Sequence, residues 1–181
     1  TKYKQNDAYK EYPTRSVVEL YNVYTDAVGI RGKTTDWITI DEAQSFDESL
    51  LPEVHQVMKA TKWPILNVSG TSLTIDTFLE SYYQNGSRGT WHIPCPSVSK
   101  TGERRYLDCG DREQVLGAIK AQGLSCPYTG RLLDPRTGLF VHEYPTRVTN
   151  GQVSVHVPQV IIPDYTLDKT KWSEIWEARL Q

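Results

Sequence analysis

The sequence predicts an α/β fold, in which helices flank a parallel sheet and a small α+β insert and a linker follow. Three successive patterns predict the sheet. A short β-branched strand over residues 38–40 is followed by an amphipathic helix over 50–61 and by a second buried strand over 64–72. This alternation is typical of parallel pairing, because the chain needs a crossover helix to return to the same edge.

Length and composition set broad limits on the protein. The 181 residues suffice for one sizeable domain, or for a domain with a small appendage. A formal net charge of -2 provides no overall basic field, so contact with nucleic acid would need a local patch. Three irregularly spaced cysteines argue for a reducing compartment. No apolar run reaches the length of a membrane span, so we expect no membrane partner. The chain begins without Met, and we expect it to be a piece of a longer protein.

The first third of the chain contains a phosphate-loop-like pattern. Residues 1–15 are polar and rich in tyrosine, and residues 17–24 form a predicted strand. Residues 27–34 then satisfy a relaxed phosphate-loop pattern, with Ala27 in place of its first glycine. A phosphate loop needs a helix directly after its Lys-Thr pair, because the first N–H groups of that helix hold the phosphates. Strand-forming sequence follows here instead, so we assign no phosphate loop.

Asp41 and Glu42 directly follow the strand over residues 38–40. Ligands of α/β folds bind at the carboxyl edge of the sheet. Two adjacent carboxylates there can divide nucleotide hydrolysis: the first holds the water shell of a Mg²⁺ ion, and the second deprotonates the attacking water. This is the Walker B arrangement of a P-loop NTPase-like sheet. The alternative interpretation is a polar turn that leads into a helix.

The second strand also ends in polar residues. The segment Ser69-Gly70-Thr71 lies at its carboxyl end, so we expect this segment and the acid pair to emerge side by side and to face a common cleft. Residues 76–85 form the next predicted helix, which ends at Asn85 and Gly86. The aromatic residues of that helix recur at helical spacing, which favours core packing.

In their order and spacing these segments resemble the ATPase domain of the large terminase subunits of tailed bacteriophages, the motors that package DNA. The resemblance begins near residue 16 and continues to the end of the chain. The segments that carry it are residues 30–32, 36–44, 69–71, 89–96, 126–130, 138–145 and 157–163.

The resemblance assigns roles to individual residues. Asp41 would be the Walker B aspartate for Mg²⁺, Glu42 the catalytic glutamate, and Ser69-Gly70-Thr71 the coupling motif that passes nucleotide state to DNA movement. Arg31 lies where some family members carry an arginine finger, which would serve catalysis by neutralising charge on the transferred phosphoryl group. The alternative for Arg31 is an ordinary arginine in a surface loop.

For the intact protein, the resemblance implies a viral ATP hydrolase that uses ATP and Mg²⁺ to move double-stranded DNA into a procapsid. It implies a ring of identical subunits, contacts with the portal protein and the small terminase subunit, and a location in the host cytoplasm with transient docking on the procapsid. The phosphate loop of the family would lie upstream of residue 1 and its nuclease domain beyond residue 181. We therefore expect this chain alone to be inactive.

Two other functions are compatible with the sequence. The acid pair and the Ser-Gly-Thr segment also resemble helicase boxes, so a helicase-like DNA-dependent ATPase is one alternative. That class expects a second motor domain with arginine motifs instead of a cysteine-bearing insert. A non-catalytic binding or assembly module with an NTPase-like fold is the other alternative.

Three regions are predicted: a partial ATPase core over residues 1–90, a cysteine-bearing insert over 91–150, and a linker strand and helix over 151–181. In many relatives the insert contains two Cys-x-x-Cys knuckles, a structural zinc pattern. Here Val98 and Thr129 replace the second cysteine of each knuckle, which makes the insert degenerate and zinc-ribbon-like.

The remaining candidate zinc ligands are Cys95, Cys109 and Cys126, which His92 or His142 could complete. Their spacing is irregular, so we expect buried free thiols and no zinc.

The insert is also locally basic. Arg104 and Arg105 lie in a cluster that could track DNA, and the alternative is an ordinary solvated face. Residues 139–144 and 153–157 are strand-like, and residues 168–180 form an amphipathic closing helix that needs a partner surface.

Overall fold

The structure, a computed structural model, describes residues 5–22, 28–71, 77–166 and 168–178. It combines strands and helices, which confirms the mixed α/β character predicted from the sequence. The chain divides into two compact units, Thr1–Tyr82 and Tyr83–Gln181. The three functional regions suggested by the sequence, with limits at residues 90 and 150, stay predictions. None of the described helices combines the length and the apolar character that crossing a membrane requires.

A three-stranded antiparallel sheet opens the first unit. Its strands are β1 (Gln5–Asn6), β2 (Tyr9–Glu11) and β3 (Val17–Glu19), in the order β1-β2-β3. The predicted strand over residues 17–24 is shorter than expected, because β2 begins at Tyr9, the register partner of Glu19. Beyond that pair β3 has no strand to pair with. The last part of this prediction, residues 23–24, lies outside the described residues.

The predicted strand-helix-strand unit is present. Strands β4 (Trp37–Ile40) and β5 (Ile65–Val68) pair in parallel, and Trp37 lies opposite Ile65. Two 3-10 turns, Ala43–Ser45 and Glu48–Leu50, lead from β4 into helix α1 (Leu51–Met58). This helix ends three residues before the predicted end at residue 61.

The core of the first unit lies on one face of the β4-β5 pair. Its buried residues are Ile40, Ala43, Val54, Met58 and Phe78. Phe78 begins helix α2 (Phe78–Asn85), which crosses the boundary between the two units. The Phe78 ring contacts the rings of Phe46 and Tyr82, with centroids 5.0 Å and 4.6 Å away. The prediction that the aromatic residues of this helix serve core packing is therefore confirmed for Phe78.

A second antiparallel sheet organises the second unit. Strand β6 (Gly89–Val98) lies between β7 (Arg104–Asp108) and a later strand, β10 (Leu139–His142). The remaining elements, in chain order, are α3 (Arg112–Ala118), β8 (Ile119–Lys120), β9 (Gly123–Leu124), α4 (Pro145–Thr149), α5 (Pro163–Thr166) and α6 (Lys169–Ala178).

The predicted strand over residues 153–157 is wrong. A single bridge between Gly89 and Val155 is all that forms there. From Trp91 onwards that side of β6 is occupied, first by the Cys109 N–H and then by β7. The segment therefore has no free edge along which to continue.

The core of the second unit joins β6 and β7 to the closing helix. Ile93 and Leu107 are register partners, and both are fully buried. Trp172 and Ile175 of α6 belong to the same core, and the Trp172 indole N–H donates to the Lys120 carbonyl at 2.8 Å. This core is the partner surface that the sequence required for the closing helix. Leu180, at the end of that predicted helix, lies outside the described residues.

Candidate functional site

The carboxyl ends of β4 and β5 bring the two predicted polar segments together. Ser69 Oγ donates to Asp41 Oδ1 at 2.9 Å. The Ser69 N–H donates to the Ile40 carbonyl at 2.9 Å, and the Ala43 N–H donates to the Ser69 carbonyl at the same distance. Asp41 and Ser69 each stand one residue beyond their strand, so parallel pairing in this register puts them side by side. The predicted side-by-side placement is confirmed, and the common cleft stays a prediction.

Glu42 adopts an uncommon backbone conformation at this edge. Its φ of 51° and ψ of 41° place it in the left-handed region, where a residue other than glycine costs about 1–3 kcal/mol. Such conformations persist where the surrounding structure imposes them, and they cluster at functional sites. The Glu42 carbonyl accepts from the Ser45 N–H at 3.0 Å, which closes the turn. The side chain is exposed and can reach a ligand in solution.

Gln44 connects the two polar segments, a role that the sequence alone did not indicate. Its side-chain NH₂ donates to Glu42 Oε2, and its Oε1 accepts from the Thr71 N–H at 3.1 Å. One amide therefore holds the carboxylate of Glu42 and the backbone of the Ser-Gly-Thr segment. The only available signal was the position of Gln44 two residues after the acid pair, which does not specify either partner.

Gly70 is required by the close approach of the two segments. A Cβ at this position would lie 2.9 Å from the Ala43 backbone nitrogen and would collide with Gln44 Oε1. Backbone cannot move aside as easily as the end of a flexible side chain. The glycine therefore allows the chain that follows β5 to pass close to the turn that follows β4.

Replacing Gly70 by Ala is expected to lower the free energy of unfolding by about 1–3 kcal/mol, because the added methyl group overpacks this turn. Urea denaturation measures the change. The control is Gly117→Ala in α3, where a Cβ meets nothing within 4 Å. Alanine there should stabilise the helix by about 0.5–1 kcal/mol. A Gly70→Ala variant as stable as the parent protein would contradict the close approach.

The donor set at this edge suits a hard cation. Asp41 and Glu42 are exposed carboxylates, and Ser69 adds a hydroxyl group. Mg²⁺ is usually held by one or two carboxylates, several waters and the phosphates of the substrate. The residues present therefore fit Mg²⁺, with Asp41 as the first candidate to hold it.

Arg31 precedes β4 along the chain, whereas Asp41 and Glu42 follow it. Its guanidinium forms a 3.2 Å ion pair with Glu53, and its side chain is 59% exposed. Within the described part of the chain, no contact joins Arg31 to either acid. Its proposed catalytic role therefore depends on a neighbouring subunit.

The segment around Arg31 is not a phosphate loop. Residues 28–32 form turns, and irregular chain leads from Lys33 and Thr34 directly into β4. The helix that a phosphate loop requires does not follow this Lys-Thr pair. The sequence-based rejection of a phosphate loop is thus confirmed for residues 28–34, and Ala27 lies outside the described residues.

The three cysteines are buried free thiols in the core of the second unit. Burial raises the pKa of Cys95 and of Cys109 to about 12. Burial acts in the same direction on Cys126, but hydrogen bonds from Thr129, Cys95 and two backbone N–H groups outweigh it and lower the pKa of that thiol. The Tyr128 N–H donates to Cys126 Sγ at 3.4 Å.

The candidate zinc ligands do not converge. Among the described residues, no group of three or more His, Cys, Asp or Glu side chains is placed to hold a metal ion. The two histidines considered as further ligands bind elsewhere. His92 Nε2 lies 3.3 Å from Asp108 Oδ1, and His142 Nδ1 lies 2.8 Å from Ser87 Oγ.

The basic residues of the insert occupy different surroundings. The Arg105 guanidinium lies 4.5 Å from the centre of the Tyr128 ring. Arg104 is exposed. Arg136 forms a 2.8 Å ion pair with Asp134, and its hydrogen bonds lower the pKa of that carboxyl to about 2. Contact of Arg104 and Arg105 with DNA stays a prediction.

Comparison with known proteins was made at three levels and found no match: no family model, no curated protein and no solved structure matches the chain. The structural support for a function therefore comes from the edge of β4 and β5, where Asp41, Glu42 and Ser69 lie together.

Proposed function

We propose that this chain contains the Walker B and coupling segments of an ATPase that packages double-stranded DNA in tailed bacteriophages. The 2.9 Å hydrogen bond between Ser69 Oγ and Asp41 Oδ1 is the main support, since it unites the acid pair with the Ser-Gly-Thr segment. It lies at the carboxyl edge of two parallel strands, the edge at which α/β folds bind ligands. The order of these segments along the chain matches that of the large terminase subunits.

Each acid has a distinct task in the proposed reaction. Asp41 would hold Mg²⁺ through its water shell, and the ion would supply positive charge to the phosphate oxygens of ATP. Glu42 would accept a proton from the attacking water. The amide of Gln44 positions the Glu42 carboxylate, so the base meets the water in a fixed orientation.

Three hydrogen bonds support the coupling role. Ser69 contacts Asp41, and the Thr71 N–H contacts Gln44, which in turn holds Glu42. A change in the charge or position of either acid on nucleotide hydrolysis would therefore reach the Ser-Gly-Thr segment through a direct contact. That segment would pass the change to the parts of the protein that move DNA.

A larger P-loop NTPase-like sheet belongs to the proposed fold. Parallel sheets are usually covered on both faces. Here Trp37 and Ile65, register partners on one face, are 58% and 44% exposed, although the other face packs on the core around Ile40. We propose that further strands and helices of the NTPase fold cover the exposed face. The β6-β7-β10 sheet would then be the degenerate zinc-ribbon-like insert.

The proposed motor is a ring that contacts DNA, the portal protein and the small terminase subunit. Arg31 could act as an arginine finger in the neighbouring subunit, because a surface ion pair such as its contact with Glu53 contributes only about 0–1 kcal/mol and is readily exchanged. Arg104 and Arg105 would contribute to the DNA-tracking surface.

The proposal is tested by ATP hydrolysis in the full-length protein. We expect turnover that requires Mg²⁺ and that double-stranded DNA stimulates. Asp41→Asn should lower the apparent affinity for Mg²⁺ by about 10–100-fold, because the side chain orients the water shell of the ion. Asp7→Asn, the same change at an exposed turn of the N-terminal sheet, is the control.

Two results would contradict the proposal. Unchanged Mg²⁺ dependence in Asp41→Asn would remove Asp41 from the metal site. No turnover at any Mg²⁺ or DNA concentration would favour the non-catalytic assembly module.

A further inference from the structure

An open cleft lies beside the segment that resembles a phosphate loop. Its volume is about 490 Å³, and residues 30–34 contribute to its lining. Further lining comes from Glu53, Gln56 and Lys59, which belong to helix α1 and the position directly after it. Residues 32–34 are the Gly-Lys-Thr end of the phosphate-loop-like pattern. No phosphate-loop helix follows them, so they have no part in the reaction proposed above.

Backbone hydrogen bonds fix the shape of this cleft. The Lys33 N–H donates to the Ile30 carbonyl at 3.1 Å and closes a turn. Gly32, inside this turn, has a φ of 76°, a conformation that glycine adopts without steric cost. The Thr35 N–H donates to the Val57 carbonyl at 3.1 Å, which joins the segment to the last turn of α1. This bond also occupies one of the carbonyls at the end of α1, which would otherwise repel an anion.

Positive charge exceeds negative charge around the cleft. Arg31, Lys33 and Lys59 contribute to its lining, and two carboxylates lie beside them. Glu53 pairs with Arg31 Nη2 at 3.2 Å, and Glu19 pairs with Lys33 Nζ at 3.0 Å. In the part of the chain that the structure describes, Lys59 forms no ion pair. The charge of the Lys59 ammonium group is therefore available to a ligand.

The donor groups of the cleft match the oxygen atoms of a phosphate group. A guanidinium group forms paired hydrogen bonds to phosphate oxygens, and a lysine binds them as a point charge. The contact of Arg31 with Glu53 is a surface ion pair, which is weak and readily exchanged for a ligand. Thr34 and Gln56 are exposed and add a hydroxyl and an amide donor.

We propose that this cleft binds phosphate groups, either those of a free nucleotide or those of a nucleic-acid backbone. Lys59 and Arg31 donate to the phosphate oxygens, and Thr34 supplies a further donor. The site goes beyond the proposed ATPase, because it needs neither the acid pair at residues 41–42 nor a neighbouring subunit. Side chains hold the anion here, whereas a phosphate loop holds it with the N–H groups of a helix.

The test is isothermal titration calorimetry of the full chain with inorganic pyrophosphate in the absence of Mg²⁺. We expect binding that weakens as the salt concentration rises, because exposed charges are screened. Lys59→Ala should lower the affinity about tenfold or more, as expected for the loss of a hydrogen bond to a charged group. The control is Lys120→Ala, the same change at an exposed lysine of β8. Its affinity should stay within about twofold of that of the parent protein.

Competition against pyrophosphate separates the two sources of phosphate. Displacement by ATP but not by a short DNA duplex assigns the cleft to a free nucleotide, and displacement by the duplex assigns it to a nucleic-acid backbone. Displacement by neither would overturn the proposal, as would equal affinities of Lys59→Ala and Lys120→Ala or no binding of pyrophosphate at all.

Amide NMR resonances of the parent protein locate the bound pyrophosphate without any variant. Those of residues 31–34 and of Lys59 should shift on binding. Shifts confined to residues 41–44 would place the anion at the edge of β4 and β5 and would contradict the cleft as its site.

Discussion

Replacing Glu42 by Gln in the full-length protein is expected to lower ATP turnover by about 100-fold or more, because general-base catalysis contributes about 10²–10⁴-fold. Glutamine keeps the size and shape of the side chain but cannot accept a proton from the attacking water. Nucleotide affinity should change little, since in the proposed mechanism Glu42 would act on the water and other residues would bind the phosphates. Single-turnover hydrolysis measures the first effect, and equilibrium binding of a fluorescent ATP analogue measures the second.

Glu48→Gln is the matched control. Glu48 is an exposed carboxylate in the first turn of the 3-10 helix that precedes α1, six positions along the chain from Glu42. The same substitution there should leave turnover within about twofold, as expected for a surface change of less than about 0.5 kcal/mol. Retained turnover in Glu42→Gln would show that another group is the base. Equal losses in both variants would show a general effect of charge on this segment.

The edge geometry could be predicted because it depends on two robust patterns. Apolar β-branched residues define β4 and β5, and the helix between them imposes parallel pairing. Once the pairing is parallel, the residues after each strand must meet at one edge. Asp41 and Ser69 followed directly from that rule.

The contacts between the acid pair and the Ser-Gly-Thr segment could not be predicted, because they depend on how closely the chain after β4 approaches the chain after β5. The bridging amide of Gln44 accepts from the Thr71 N–H, 27 positions along the chain, and Glu42 adopts its left-handed conformation beside that bridge. Local sequence contains no signal for either feature.

The wrong strand prediction has a different cause. Residues 153–157 alternate as a strand should, but a strand also needs a free edge, and one side of β6 is already occupied beyond the bridge at Gly89. Likewise, β3 stops at Glu19 where its partner strand begins. Both errors arise because a strand needs a neighbouring strand with free hydrogen-bonding groups. The alternation of apolar and polar residues along one segment does not show whether such a neighbour exists.

The second unit offers a test of its core that is independent of any activity. Ile93 and Leu107 face each other across β6 and β7, and neither exposes any surface. Ile93→Ala should lower the free energy of unfolding by about 2–5 kcal/mol, since it removes buried methyl groups and leaves a cavity. Ile93→Val should cost about 0.5–1.5 kcal/mol, because it removes one methylene group. Urea denaturation gives both values.

Leu139→Ala is the matched control for this series. Leu139 lies on β10, next to β6 in the same sheet, but it is 48% exposed. Its truncation removes less buried surface and should cost about 1 kcal/mol or less, since burial contributes about 25 cal/mol per Å² of apolar surface. Burial therefore predicts a larger loss for Ile93→Ala than for Leu139→Ala. Equal losses for Ile93→Ala and Leu139→Ala would show that the β6-β7 interface is not the stabilising centre of this unit.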